Sequence, residues 1–449
     1  MPGYVITASI RALFSLLLLA LLLGGCALPQ GLAPGSRALV TPVDEQGLPR
    51  ISVFLTLRDE RSPRVTMEIA ELEILSGDTW YPLNNRAISL DSSLIGGSQI
   101  SLGGSPLPPG MLQRLRLTVA VARAGTSGTG DRVLLAEPLV LDIPLNQSLE
   151  LEGEDSRSLF LTWDVEASLE QAGGFTPVIN VATAQRGLLR DLIYVSCPDI
   201  DTVYVVRSDT HRVVDSFGIS GRGTWLALDP VTAERLYLLT PAQRQVKAID
   251  PETYRVVDFF QTPLNDIPTF MTLDSDGRFA YLLDEYSGYV SRIDLSSGRV
   301  SARVSIGYRP TYALYLPQQN LLAVSLSLSQ TVVLLDPTTL QVRGSLSSGS
   351  GPEGLAVSDN LLYVAERIDN SVSVFDLAAF ARQERISVGY GPQRILATLN
   401  QIYVAQGADA SVAVLAPGQL GVFREITGLG LPQDMVYRPV LRKLYIADH

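Results

Sequence analysis

The sequence predicts an all-β chain in which a β-sandwich is followed by a β-propeller. Two patterns carry the prediction. Between residues 190 and 449 one short strand recurs, as "LIYVSC", "RLYLLT", "FAYLLD", "LLAVSL", "LLYVAE", "QIYVAQ" and "KLYIAD". This places Tyr194, Tyr237, Tyr281, Ala323, Tyr363, Tyr403 and Tyr445 at equivalent positions, spaced by 43, 44, 42, 40, 40 and 42 residues. A period near 40–45 built only of strands is the mark of propeller blades. Before it, "ISVFLTLRD", "TMEIAELEIL" and "RLRLTVAVAR" alternate apolar and polar residues between Gly, Pro and Ser turns, as half-buried strands of a sandwich do.

Composition bounds the function. The chain has 449 residues, 46% hydrophobic and 18% charged, enough to build real cores. Its net charge is −11; without residues 1–25, whose only charged side chain is Arg11, it is −11 − 1 = −12. So acidic a surface repels phosphate backbones, and no nucleic-acid partner is expected.

The N-terminus reads as a targeting signal. Arg11 precedes the apolar run "ALFSLLLLALLL", Ala12 to Leu23, which suits a signal-peptide core and is shorter than the roughly 20 residues a membrane-spanning helix needs. It ends in "LGGC", which resembles the bacterial lipobox: an aliphatic residue, two small residues and the cysteine that receives lipid. The resemblance implies a signal peptide over 1–25 and lipidation of Cys26. Ala27, being other than Asp, implies outer-membrane sorting in a Gram-negative cell. The expected membrane partner is reached through that lipid. Residues 26–49, rich in Pro and Gly, read as a flexible tether. With Cys26 lipidated, Cys197 has no disulfide partner and reads as a half-buried structural thiol.

Residues 50–185 form the sandwich. "ISVFLTLRDERSPRVTMEIAELEI", "LPPGMLQRLRLTV" and "LFLTWDVEASLEQAGGFTPVINV" resemble a family of uncharacterised β-sandwich domains of bacterial surface lipoproteins, which implies a fold and no chemistry. Trp163 and Asp164 read as a core aromatic beside a turn carboxylate.

Residues 190–449 form the propeller. Each tyrosine strand is followed by a second ("VKAID", "VSRID", "VSVFD") and a third ("YRVVDFF"), and preceded by an inner strand ("TWLALD", "TFMTLD", "TYALYL", "GLAVSD", "RILATL", "DMVYRP"). "GPEGLAVSDNLLYVAERIDNSVSVFD" resembles the YVTN-type propeller repeat, a fold that hosts unrelated roles. Seven tyrosine-type strands predict seven blades, the last incomplete, with "PVINVATA" supplying the first inner strand; closure with six blades is the alternative.

A loop recurs too: "IGYRPTYAL", "SGSGPEGLA", "VGYGPQRIL" and "TGLGLPQDMV". Its glycine and proline set a tight turn from one blade's outer strand to the next blade's inner strand. The pair opening each inner strand is Thr224–Trp225, Thr269–Phe270, Thr311–Tyr312, Glu353–Gly354, Gln393–Arg394 and Gln433–Asp434. Aromatics gather on one side of the ring and polar residues on the other. Trp225, Phe270, Tyr312, Glu353, Arg394 and Asp434 are therefore the candidate ligand-binding residues at the channel mouth. Alternatively they plug that mouth, with Arg394 paired to Asp434 or Glu353.

Catalytic chemistry is poorly supplied. The only histidines are His211, before an outer strand, and His449. No Cys/His zinc spacing or haem motif is present, so no metal or cofactor is expected. "LDSDGRF" opens like a calcium loop but lacks the downstream ligands, and Asp276-Gly277 reads as a hairpin turn. The expected function is a non-enzymatic, lipid-anchored cell-envelope protein whose propeller binds a protein, peptide or glycan, or serves as a scaffold. The rival is a propeller enzyme, of lyase or quinone-dependent dehydrogenase type, with a small-molecule site in the channel.

Overall fold

A computed structural model describes residues 4–7 and 47–448, apart from 60, 127–128, 170–173, 184–190, 264–265 and 420. The sandwich is two sheets. In one, Ser156–Asp164 lies between Val178–Ala182 and Arg50–Leu57, and Ile100–Pro106 completes the far edge. In the other, Val65–Ser76 pairs with Gly110–Thr126, with Thr79–Pro82, Ile88–Asp91, Thr129–Leu135 and Leu139–Leu151 flanking them. Val65, Met67 and Ile69 point inward, then Leu72 and Ile74 do; a bulge between Ile69 and Glu71 resets the phase. Trp163 is fully buried, donating its Nε1 hydrogen to Ser168 Oγ at 3.1 Å, and Asp164 pairs with Arg58 at 2.6 Å, as the core reading expects.

The propeller has seven blades. Five are antiparallel four-stranded sheets: blade 2 (Trp225–Gln261), blade 3 (Phe270–Ser305), blade 4 (Pro310–Ser347), blade 5 (Pro352–Ser387) and blade 6 (Pro392–Ile426). Blade 7 has two strands, Pro432–Arg438 and Lys443–Asp448. Blade 1 supplies Leu192–Cys197, Thr202–Arg207 and Arg212–Gly218. Its inner position is taken by Tyr4–Thr7, paired parallel to Ile193–Ser196, where the other inner strands pair antiparallel. That position was expected to go to "PVINVATA". Val178–Ala182 instead completes the sandwich sheet, antiparallel to Phe160–Asp164, because Ile179 and Val181 fill the sandwich core.

The sandwich docks on blade 1. Its Arg50–Leu57 strand is buried on both faces, Ile51, Val53 and Leu55 turning to the sandwich core. The other face meets the propeller through small polar residues. Ser52 Oγ and Tyr204 Oη lie 2.8 Å apart, as do Ser158 Oγ and Ser216 Oγ, and Thr202 Oγ1 donates to Ser156 Oγ at 2.9 Å. Gln99 exchanges two hydrogen bonds with the Val213 backbone, at 3.2 and 2.8 Å. Hence the outer strand of blade 1 is largely buried, whereas those of blades 2 to 6 are mostly exposed.

Candidate functional site

Inner strands run from the blade-to-blade loops at one rim to the first hairpin turns at the other. Pro310, Pro352, Pro392 and Pro432 each open an inner strand, where a missing N–H costs no ladder bond. Each is followed by a bulge that aims the next side chains at the axis. Gly351 and Gly391 adopt φ of +69° and +68°, and a Cβ on either would press on the neighbouring turn at Ile368 or Ala408.

Four of the six expected channel residues form one cluster. Trp225 and Phe270 meet edge to face at 4.4 Å, Phe270 and Tyr312 lie 4.5 Å apart, and Trp225 and Tyr312 6.3 Å apart. Arg394 reaches across the ring and sets its guanidinium over Trp225 and Tyr312, at 5.1 and 5.2 Å. Aromatic and charged sides are thus not segregated. The guanidinium Nη1 donates to the Gln393 carbonyl at 3.0 Å, while its buried Nε has no hydrogen-bond partner. Burial pushes the Tyr312 hydroxyl up to about 12, with Arg394 pulling down and Asp434 pushing up. Asp434 lines the same cavity. Glu353 stands apart: it is buried and pairs with Arg367 at 3.3 Å. Cys26 lies outside the described residues.

Neighbouring blades are stitched at this rim. Trp225 Nε1 donates to the Thr269 carbonyl at 2.8 Å, Thr311 Oγ1 to Pro352 at 3.2 Å, Ser325 Oγ to Glu353 at 2.6 Å and Gln393 Nε2 to Pro432 at 2.7 Å. The rings therefore close the channel here. Beyond them lies a cavity of about 500 Å³, bounded at its other end by Pro230, Ser275 and Pro317, all exposed.

Two features escaped the sequence reading. In blades 3, 5 and 7 the residue ending the second strand ties down the blade-to-blade loop: Asp284 accepts the Ile267 N–H at 3.0 Å and Glu366 the Gly349 N–H at 2.6 Å, and Asp448 does the same for Gly430. Its signal is the acid closing "YLLD", "YVAE" and "YIAD". The other is a set of exposed apolar side chains on that rim. Tyr286, Leu328 and Ile368, in the second hairpin turns, and Tyr308 and Tyr390, in the loops, are 65–78% exposed. Tyrosine at equivalent places in "IGYRP" and "VGYGP" was the legible trace. Among the described residues no group of three or more His, Cys, Asp or Glu is placed to hold a metal ion, and no helix is long and apolar enough to cross a membrane.

These features define an all-β protein of two docked units, with a seven-bladed propeller closed at one rim by an aromatic cluster. No family model and no curated protein matches the chain. Among solved structures it is similar to a functionally unknown protein from Desulfotomaculum acetoxidans DSM 771, at 15% identity and a TM-score of 0.51 over 57% of this chain and 88% of that one. It also resembles virginiamycin B lyase from Staphylococcus aureus, at 11% identity and a TM-score of 0.49 over 57% and 87%. At such identity the likeness shows the propeller fold alone.

Proposed function

We propose that the chain is a non-catalytic cell-envelope binding module, held to the membrane by lipid on Cys26, whose propeller presents its loop rim to a protein or peptide partner. The observation that carries this is the gathering of Tyr286, Tyr308, Leu328, Ile368 and Tyr390, all largely exposed, on one rim. Large tyrosine and aliphatic side chains together on a surface are what protein interfaces use as anchors. Gly47, where the tether meets the folded part, lines a cavity with Asp199, Ile200 and Asp201 at the same rim. Crosslinking in intact envelopes tests the reading: Tyr286→Ser, Tyr308→Ser and Tyr390→Ser combined are expected to abolish crosslinks seen with the parent chain. Unchanged crosslinks overturn the rim assignment. Labelling with palmitate tests the anchor, and Cys26→Ser is expected to remove it.

The channel cavity favours a second reading, in which the propeller also holds a small molecule. The aromatic cluster gives it a shaped apolar end, and its volume is that of a ligand pocket.

A further inference from the structure

The cavity below the aromatic cluster has a chemistry of its own. Its closed end is the Trp225, Phe270 and Tyr312 rings; its walls include Leu228, Leu273 and Leu314. The charged side chains among its described lining residues are Asp274 and Asp434, with no Lys, Arg or His. Arg394 stands behind the rings, its guanidinium over Trp225 and Tyr312. A second cation at the closed end would meet that charge, so a ligand's positive group belongs at the other end.

Asp274 is built to receive it. The carboxylate follows the inner strand Phe270–Leu273, and its Oδ1 accepts the N–H groups of Arg278 at 2.9 Å and Phe279 at 3.0 Å. Those two bonds fix the side chain and leave Oδ2 for a ligand. Arg278, the adjacent cation, is turned to Asp294 at 3.6 Å and to the Phe279 ring. Four strand steps separate Phe270 from Asp274, about 13 Å between Cα atoms. That span takes a ring, a short alkyl chain and an amine once contact distances are allowed for.

We propose that this channel binds a small arylalkyl amine, its apolar body against Trp225, Phe270 and Tyr312 and its ammonium on Asp274. The proposal deepens the small-molecule reading of the propeller and is independent of the loop-rim partner. Charge-assisted hydrogen bonding to a fixed carboxylate, at the mouth of a channel with an aromatic end, selects ammonium over neutral or anionic ends of the same shape.

Calorimetric titration of the full chain with phenylbutylammonium, phenylbutanol and phenylbutyrate tests it. The ammonium is expected to bind at least about tenfold tighter than the alcohol, and the carboxylate weakest. Asp274→Asn, which keeps an oxygen for both backbone N–H groups, is expected to bring the ammonium down to the alcohol's affinity and leave the alcohol unchanged. Phe270→Ala is expected to weaken both. Equal affinities, tighter binding of the carboxylate, an unaffected Asp274→Asn, or no binding by any of the three overturns the proposal. Tyr308→Ser, on the opposite rim, should leave these affinities unchanged, so loss of the partner surface and loss of this site read separately.

Discussion

Glu366 shows how one side chain holds several elements. It has no exposed surface and accepts from Gly349 N–H and Ser371 Oγ, each at 2.6 Å, and from Arg385 Nε at 2.9 Å. Glu366→Ala strands a loop N–H and half of an ion pair, so it is expected to cost about 3 kcal/mol, read as a lowered urea midpoint. The buried tyrosines make a different prediction. Burial pushes Tyr194, Tyr281 and Tyr312 up to about 12, from an ordinary value of 10. A phenol whose pKa is raised by folding stabilises the fold fully below its unfolded value and loses that contribution as pH rises through the folded one. Alkaline unfolding should therefore set in between pH 10 and 12, with tyrosinate absorbance from these side chains rising together with loss of structure. Ionisation of Tyr194, Tyr281 or Tyr312 at pH 10 in a chain that is still folded, read as the absorbance difference from the corresponding Tyr→Phe variant, would contradict it.

At the scale of strands and turns, the third hairpins of blades 2 to 5 are held by one device. Asp250, Asp294, Asp336 and Asp376 end third strands, and each accepts two backbone N–H groups of its turn through Oδ1. The outer strand then returns with a bulge against the third. Hydrogen bonds from Ser296 hold the Asp294 carboxyl at about 2, below the ordinary 3.8. A depressed carboxylate stabilises above its unfolded pKa and loses that as pH falls through the folded one, so the contribution of Asp294 is lost between pH 3.8 and about 2. Asp294→Asn should flatten the thermal midpoint against pH in that window. Strand identity was legible because it recurs with the blade period; the aspartate closing "VKAID", "VSRID" and "VSVFD" recurs with it, but its turn role shows only in the structure. The docked face of blade 1 was not legible: Ser216 meets the Ser158 hydroxyl and Gly218 the sandwich backbone, which alternation cannot reveal. A Cβ at Gly218 would overlap the Glu154 carbonyl. Gly218→Val is expected to loosen the two units, splitting one calorimetric transition into two. Nor did spacing reveal Arg394 on Trp225, because that contact crosses the ring between blades far apart in sequence.

Ring closure sets the whole molecule's stability. Blade 7 and blade 1 share no sheet; they meet through Ile193 and Ala447, the Arg438–Asp191 ion pair and the Tyr445 hydroxyl on Ser208. The inner edge of Leu192–Cys197 is covered by Tyr4–Thr7, a segment that lies before "LGGC". Sequence reading places that segment in a signal peptide, and a hydrophobic pattern of four residues carries no mark of which sheet it joins. The two roles have opposed consequences. Cleavage before Cys26, were it to occur, would remove the strand and leave the inner edge of blade 1 without its ladder bonds, beside the joint where the ring closes. Comparing the full chain with one beginning at Cys26, both in the same detergent, is expected to show the shorter chain less stable by about 2 kcal/mol, a fall of roughly 2–4 °C in midpoint. Hydrogen exchange should locate the loss at Ile193–Ser196 and the facing strand Lys443–Asp448. Equal midpoints and equal protection there would show that blades 1 and 7 close the ring through their side chains alone.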